Sequence, residues 1–462
     1  MKVCIISEGS YPMLPGGLSE WAHMLIKNLK DVEFEIFCIV PFEEARPWVY
    51  ERLPNINQVV VKSIIRTYTP RFSRSWPKSV SAGVVKFLNN GNAGLPWDLE
   101  ELVKAINYRP VNKGWLNSPA YWEFVTDSYE KLNNGGPFTD FFWQSYGIHQ
   151  ILMDSLHFIK EIPKADIYHC VSTGFAGFTG ALAQNTFKRP LVITEQGLYL
   201  LERKNELARQ NLPEWYEKLI MNITVSMVKT SYKYADMLVP PCHSHLAMEK
   251  ELGADLNKVM VINNGIELDR FRPSSQKREI PVIGCFARVV PVKGITFLIE
   301  AARIVCNRYP VDFVVLGDTS DKEYVIECEK KIKELGLEDR FRFMGHVNPT
   351  DWYPKVDIFT LSSLSEGVPY ALLEAMSCGI PAVCTAVGGV PEIIANEAGF
   401  VVPPGRPDLL AEKYIKLLDD KELRQKMGRR ATELAAQKYD IKQMGQSFYN
   451  LYEGLIKDYG KH

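Results

Sequence analysis

"IFTLSSLSEGVPYALLEAMSCGIPAVCT", residues 358–385, carries one strand–helix–strand unit of a parallel α/β fold. "IFTLSS" and "PAVCT" are short apolar runs of strand type, and the segment between them has helix length. Pro369 has the backbone angle of a first helical turn and lacks the N–H that such a turn leaves unused, so the spacing predicts a helix over 370–378. Two carboxylates, Glu366 and Glu374, stand eight positions apart around this start. On one continuous helix they would share a face. With Pro369 opening the helix, Glu366 belongs to the loop and Glu374 to the first turns.

The N–H groups of Tyr370 and Ala371 then point out of the helix start, where the dipole favours an anion. Acceptor carboxylates on either side of an anion site suit a ligand with a phosphate centre and hydroxyl-bearing arms, the layout of a nucleotide sugar. Spacing alone is weak support, because exposed helix glutamates are ordinarily solvated. Context strengthens it: open α/β sheets bind ligands beyond the carboxyl ends of their strands.

Outward from this unit the same grammar continues. Strand-type runs stand at 281–287, 312–317, 340–345 and 399–403, with helical segments at 294–308 and 322–335. The N-terminal part repeats it with "KVCIIS", "FEIFCIV", "DIYHCV", "PLVITE", "DMLVP" and "KVMVIN" as strands and an amphipathic helix over about 212–233. Residues 66–150 interrupt the alternation with Trp76, Trp97, Trp115, Trp122 and Trp143, either as a small satellite core or as a platform for an acceptor sugar. The expected domains are 1–270 and 271–438, joined through the polar stretch 263–281, and a last helix over 439–462 that crosses back to the first.

Two further clusters complete the anion site. "GCFARVVPVKGITFLIEAA" ends a strand at Phe286 and then presents Arg288 and Lys293 before another helix, a fork and a point charge for phosphate oxygens. Its order is Lys-Gly with no Ser or Thr directly after the lysine, which is not a Walker loop. "EGSYPMLPGGLSEWAHMLI" places Gly16 and Gly17 at a helix start, where backbone can approach a diphosphate closely; a plain turn explains the glycines equally. This is not the G-x-G-x-x-G fingerprint, so hydride transfer loses its support.

Composition agrees with a two-domain globular protein: 462 residues, 46% hydrophobic, net charge −1. That charge balance argues against nucleic acid as a partner. Nine scattered cysteines without a Cys-x-x-Cys pair read as free thiols of a reducing compartment. The first residues read as a strand, and no apolar run reaches bilayer length, so a cytoplasmic location is expected. With no Asp-x-Asp pair and no His/Cys cluster at metal-ligand spacing, neither a metal nor another cofactor is expected, and the leaving diphosphate would be neutralised by Arg288, Lys293 and helix starts.

Taken together, "NNGIELDRFRP", "FARVVPVKGI", "VVLGD", "FMGHV" and "SEGVPYALLEAMSCGIPAVCTAVGGVPEII" resemble the retaining glycosyltransferases of family 4. The resemblance implies the GT-B fold, two doubly wound Rossmann-like domains facing across a cleft, here with an insertion in the first. It implies that Arg288 and Lys293 hold the donor diphosphate, Glu374 the ribose hydroxyls and Glu366 the sugar hydroxyls, with Gly17 behind the phosphates. Gly345, His346 and Val347 would lie near the base. Glu366 suits orientation of the sugar better than a nucleophilic role.

"SEGSYPMLPGGLSEWAHMLI", "DIYHCVSTGFAG" and "TEQGLYLLERKNEL" further resemble the PelF branch, whose enzymes build the Pel exopolysaccharide of biofilms from UDP-glucose-type donors. That implies a UDP-sugar, a saccharide acceptor, and attachment to a membrane polysaccharide synthase complex at the inner face of the membrane. Where the branch reads Glu-His-Gly this chain has Glu195, Gln196 and Gly197; the glutamine hydrogen-bonds but carries no charge. His169 is a second candidate for the donor, or else a buried histidine hydrogen-bonded to backbone. A UDP-sugar 2-epimerase of the same fold and a catalytically silent nucleotide-sugar sensor remain as alternatives. A Lys293→Ala change is expected to cut turnover and leave folding intact.

Overall fold

Runs of apolar, β-branched residues too short for helices fold here into two separate all-parallel sheets, each buried on both faces by helices. The computed structural model describes every residue except 10, 42–46, 66–77, 109–112, 133–135, 275–278 and 462, and no side chain at 78–79, 104–108, 113–114 and 132. The chain divides into an N-terminal unit (Met1–Pro240, Leu246–Val261 and Ser447–His462) and a C-terminal unit (Pro241–His245 and Ile262–Gln446).

The N-terminal sheet contains β1 (Lys2–Glu8), β2 (Glu33–Val40), β3 (Ile56–Ser63), β4 (Ile167–Cys170), β5 (Leu191–Ile193) and β6 (Met237–Leu238), in spatial order β3-β2-β1-β4-β5-β6. The C-terminal sheet contains β7 (Val282–Phe286), β8 (Asp312–Leu316), β9 (Phe341–Gly345), β10 (Ile358–Leu361), β11 (Ala382–Thr385) and β12 (Gly399–Val402), in order β12-β11-β10-β7-β8-β9. Both are the doubly wound order of dinucleotide-binding folds. In each, the chain runs outward to one edge, returns to the middle and fills the other side. The reversal falls between β1 and β4 in the first sheet and between β7 and β10 in the second.

The α/β class read from the sequence is the one observed, and two elements differ. "INQVVVKS" forms β3, although its apolar residues are interrupted by Asn57, Gln58 and Lys62. It is an edge strand, so only part of its surface meets the core. "KVMVIN" forms no strand; its one sheet contact is an isolated bridge between Leu238 and Val259.

Between β3 and β4 the described residues form five α-helices, from Lys78–Asn92 to Phe138–Ser155. Trp97 and Trp115 are fully buried in one continuous cluster with Cys4 and Ile6 of β1 and Phe178 of the helix after β4, so these helices share the main core instead of enclosing a satellite one. The Trp97 ring lies 4.7 Å from that of Phe178. Trp122 and Trp143 are exposed, and Trp76 lies outside the described residues. All nine cysteines are unpaired thiols. No helix among the described residues is long and apolar enough to cross a membrane.

Glu249, on the helix Leu246–Glu251, is completely buried and neither carboxylate oxygen has a hydrogen-bond partner among the described residues. Desolvation and the nearby Glu195 push its carboxyl up to about 8. A raised carboxyl pKa stabilises the fold below the unfolded-state value, and that contribution is lost as pH rises through the folded one. The stability advantage of Glu249→Gln over the parent should therefore grow between pH 5 and pH 8. The slope should approach roughly 1.4 kcal/mol per pH unit in urea titrations, and a flat difference would show that Glu249 is ionised in the folded protein.

Candidate functional site

In the C-terminal unit the loops leaving β7 and β10 emerge side by side where the strand order reverses, because β7 and β10 are neighbours in the sheet. The loop after β7 passes Arg288, makes a single 3-10 turn over Pro291–Lys293 and enters the helix Ile295–Cys306 through Gly294. The loop after β10 runs from Ser362 to Pro369 and enters the helix Tyr370–Ser377.

Backbone bonds stitch these loops together. Leu364 donates its N–H to the Val292 carbonyl at 2.8 Å, and the Ser362 hydroxyl donates to the Lys293 carbonyl at 3.0 Å. Gly294 holds a left-handed φ of +60°, and a β-carbon there would stand 2.3 Å from the Ser362 carbonyl oxygen. Gly388, at φ +52°, would place one 2.0 Å from the Glu366 carbonyl oxygen. Only glycine satisfies both conditions at both positions.

This stitching brings Lys293 to Glu366. The ammonium lies 2.6 Å from Oε1, with the side chains only 18% and 8% exposed, and the Ser363 hydroxyl donates to the same oxygen at 2.6 Å. Arg288, on the same loop as Lys293, is exposed, and its side chain makes no hydrogen bond or ion pair with another described residue. Glu374 is half-buried and its Oε2 accepts from the Tyr353 hydroxyl at 2.6 Å. The helix Tyr370–Ser377 starts at Pro369 without a side-chain cap and has no acid in its first turn. Gly345, at φ +67° with open space where a β-carbon would be, ends β9; His346 is exposed and Val347 packs on the core.

The matching reversal in the N-terminal unit has the opposite charge. The helix Phe175–Phe187, after β4, receives Glu8 from the end of β1: its Oε2 accepts the Phe175 N–H at 2.9 Å. Tyr199 donates to the other oxygen at 2.9 Å, and Arg203 donates to the Tyr199 hydroxyl at 3.0 Å. Glu195 is buried and accepts from Thr173, the Tyr199 N–H and Tyr232. Desolvation pushes both carboxyls up, partly offset by these donors, while desolvation and neighbouring acids lift Glu202 to about 6. The start of this helix is therefore already occupied by a carboxylate.

The other sequence candidates lie in the N-terminal unit. Gly16 and Gly17 open the helix Gly17–Asn28 with no atom within 4 Å of either β-carbon position. Gln196 is half-buried in the loop after β5. His169 is wholly buried on β4, with Nδ1 bonded to the Tyr452 hydroxyl at 2.6 Å and Nε2 to the Thr194 hydroxyl at 2.7 Å. Burial lowers its pKa to about 3. Both nitrogens are used by side chains of the same core, which leaves none for a ligand. Tyr353, Ser363 and Glu8 were not singled out from the sequence: an aromatic, a serine and a strand-end glutamate carry no spacing signal, and their roles come from the loop contacts.

Residues 1–257 match the family described as Domain of unknown function (DUF3492), which is more than half of the chain. The chain belongs to the DUF3492 family. In this DUF3492 protein, residues 268–434 match the Glycosyl transferases group 1 domain, which holds Arg288, Lys293, Glu366 and Glu374. A phosphatidylinositol N-acetylglucosaminyltransferase of Arabidopsis thaliana is 33% identical over 40% of this chain and 44% of its own length. The capsular polysaccharide glycosyltransferase CapM of Staphylococcus aureus is 25% identical over 61% of this chain and 75% of its own. The chain thus spans under half of the first of these relatives. Among solved structures, a sucrose-phosphate synthase from Thermosynechococcus elongatus superposes with a TM-score of 0.67 at 17% identity, over 99% of both chains. HepE of Anabaena, solved with UDP-glucose, gives 0.60 at 18% identity, over 98% of this chain and 100% of its own. At such identities the likeness establishes the fold, that of the GT-B glycosyltransferases.

The ion pair changes what Lys293→Ala does. Removing the ammonium strands the Glu366 carboxylate in a site 8% exposed, so folding is not left intact. The expected loss is about 3 kcal/mol, and adding Glu366→Gln should recover most of it, as read by urea unfolding. A single alanine variant as stable as the parent would contradict the buried pairing.

Proposed function

We propose that this protein is a retaining, metal-independent glycosyltransferase that moves a hexose from a UDP-sugar, of UDP-glucose type, to a growing saccharide in exopolysaccharide synthesis. The observation that carries the reading is the ion pair between Lys293 and Glu366 at the reversal between β7 and β10, on the loops that also hold Arg288 and lead into the uncapped helix of Glu374. The group 1 domain over the same residues supports it, as does the fold shared with HepE, which was solved with UDP-glucose.

In this reading Arg288, Lys293 and the N–H groups of Tyr370 and Ala371 hold the diphosphate, and Glu374 accepts the ribose hydroxyls. The turn at Gly345, His346 and Val347 meets the base, and Glu366 orients the sugar. As the bond from the anomeric carbon to the β-phosphate oxygen breaks, negative charge grows on the departing UDP, where the fixed cations stabilise it. The acceptor oxygen forms its bond on the same face, and its proton passes to the phosphate oxygen. No protein nucleophile enters. Lys293 is tied to Glu366 before any ligand arrives, so the phosphate and sugar contacts are positioned as one group. The similarity to the PelF branch points to Pel polysaccharide, work in the cytoplasm and a membrane synthase complex as partner.

Calorimetric titration with UDP- and GDP-sugars tests base and sugar choice together. The Arg288 side chain has no partner among the described residues, so Arg288→Ala should spare folding yet weaken UDP binding roughly 10- to 150-fold, the worth of one charge-assisted hydrogen bond. Binding and transfer should both survive EDTA. Undiminished UDP affinity in the Arg288 variant would sink the phosphate assignment. Conversion of the UDP-sugar without an acceptor, followed by NMR, would point to an epimerase, and binding without turnover on any glycan to a sensor.

A further inference from the structure

Tyr353 lies on the connection from β9 to β10, the same connection that begins with Gly345, His346 and Val347. Its ring is wholly buried, 4.5 Å from the Phe286 ring at a tilt of 39° and 5.8 Å from Phe271 edge-on. Phe286 is the last residue of β7, so the ring is clamped against the strand that delivers Arg288 and Lys293. Held this way, the ring has one direction left for its hydroxyl: toward the helix Tyr370–Ser377. There it donates to Glu374 Oε2 at 2.6 Å and lies 3.2 Å from the Ala371 carbonyl. Burial, followed by the Glu374 charge, pushes the phenol well above its ordinary range, which keeps it a donor at any physiological pH.

A half-buried glutamate on a short helix ordinarily samples several rotamers, and ordering it on binding costs roughly 0.5–1.5 kcal/mol. A clamped phenol bonded to one carboxylate oxygen removes that freedom in advance. We infer that Tyr353 is a positioning residue for nucleotide recognition: it presets the Glu374 carboxylate to accept the ribose hydroxyls and so contributes to selection of ribonucleotide donors. The inference rests on the proposed reading of Glu374 as the ribose acceptor. It adds that the residue presetting the ribose reader and the turn assigned to the base are parts of one connection. A purely structural tyrosine would fill the same space, but its loss would not depend on which nucleotide is bound.

That difference supplies the test. Tyr353→Phe keeps the ring and removes only the hydroxyl, and near-UV circular dichroism of the full chain reports whether the packing survives. Calorimetry would compare UDP with 2′,3′-dideoxy-UDP. The parent should bind UDP at least tenfold more tightly than the dideoxy analogue. Tyr353→Phe should weaken UDP about five- to tenfold and leave the analogue unchanged. In a Glu374→Gln background, adding Tyr353→Phe should cause no further loss, since the hydroxyl acts through the carboxylate. Equal weakening of both nucleotides, unchanged binding of both, or additive losses in the double variant would overturn the role of Tyr353 while leaving the ribose reading in place. Equal affinity of the parent for UDP and the dideoxy analogue would overturn the ribose reading itself.

Discussion

An ammonium and a carboxylate 2.6 Å apart, both largely withdrawn from solvent, tie together the loops after β7 and β10 in the C-terminal unit. Neither charge would be stable in that position alone, because taking an ion out of water costs several kcal/mol. Each offsets the other's desolvation, and the Ser363 hydroxyl satisfies the carboxylate further. The pair could form only because β7 and β10 are neighbours where the chain reverses its direction across the sheet. Topology thus places residues 73 positions apart in contact, and two glycines allow the backbones to approach closely enough to keep them there.

The two units share one strand order but not one electrostatic character. At its reversal the C-terminal unit presents cations and an uncapped helix start; the N-terminal unit presents Glu8, already bonded to the equivalent helix start, with Glu195 and Glu202 nearby. Identical backbone plans thus differ in electrostatic character through side chains alone.

Much of this was legible in the residues. Strand positions in the C-terminal unit followed from apolar runs, because strands covered on both faces are uniformly apolar, and Pro369 marked its helix start. Edge strand β3 escaped because its exposed positions break the run, while "KVMVIN" had the composition of a strand but no place in the ladder. At the site, Lys293 and Glu366 were each readable as donor contacts, yet their bond to one another was not, since contact across 73 residues has no local signature. His169 read equally as ligand or core; Thr194 and Tyr452, distant in sequence, decide that its nitrogens are already engaged. Tyr353 carried no signal because a buried aromatic before a strand is ordinary.

The helices between β3 and β4 bury Trp97 and Trp115 in the same core as the sheet they cover. A segment that fills its own core can be deleted, moved or exchanged between relatives as a module. One whose tryptophans also wall the Rossmann layer cannot be removed without opening a void beside Phe178 and β1. The N-terminal unit is consequently one cooperative body, and any minimal version of this protein has to keep its longest interruption.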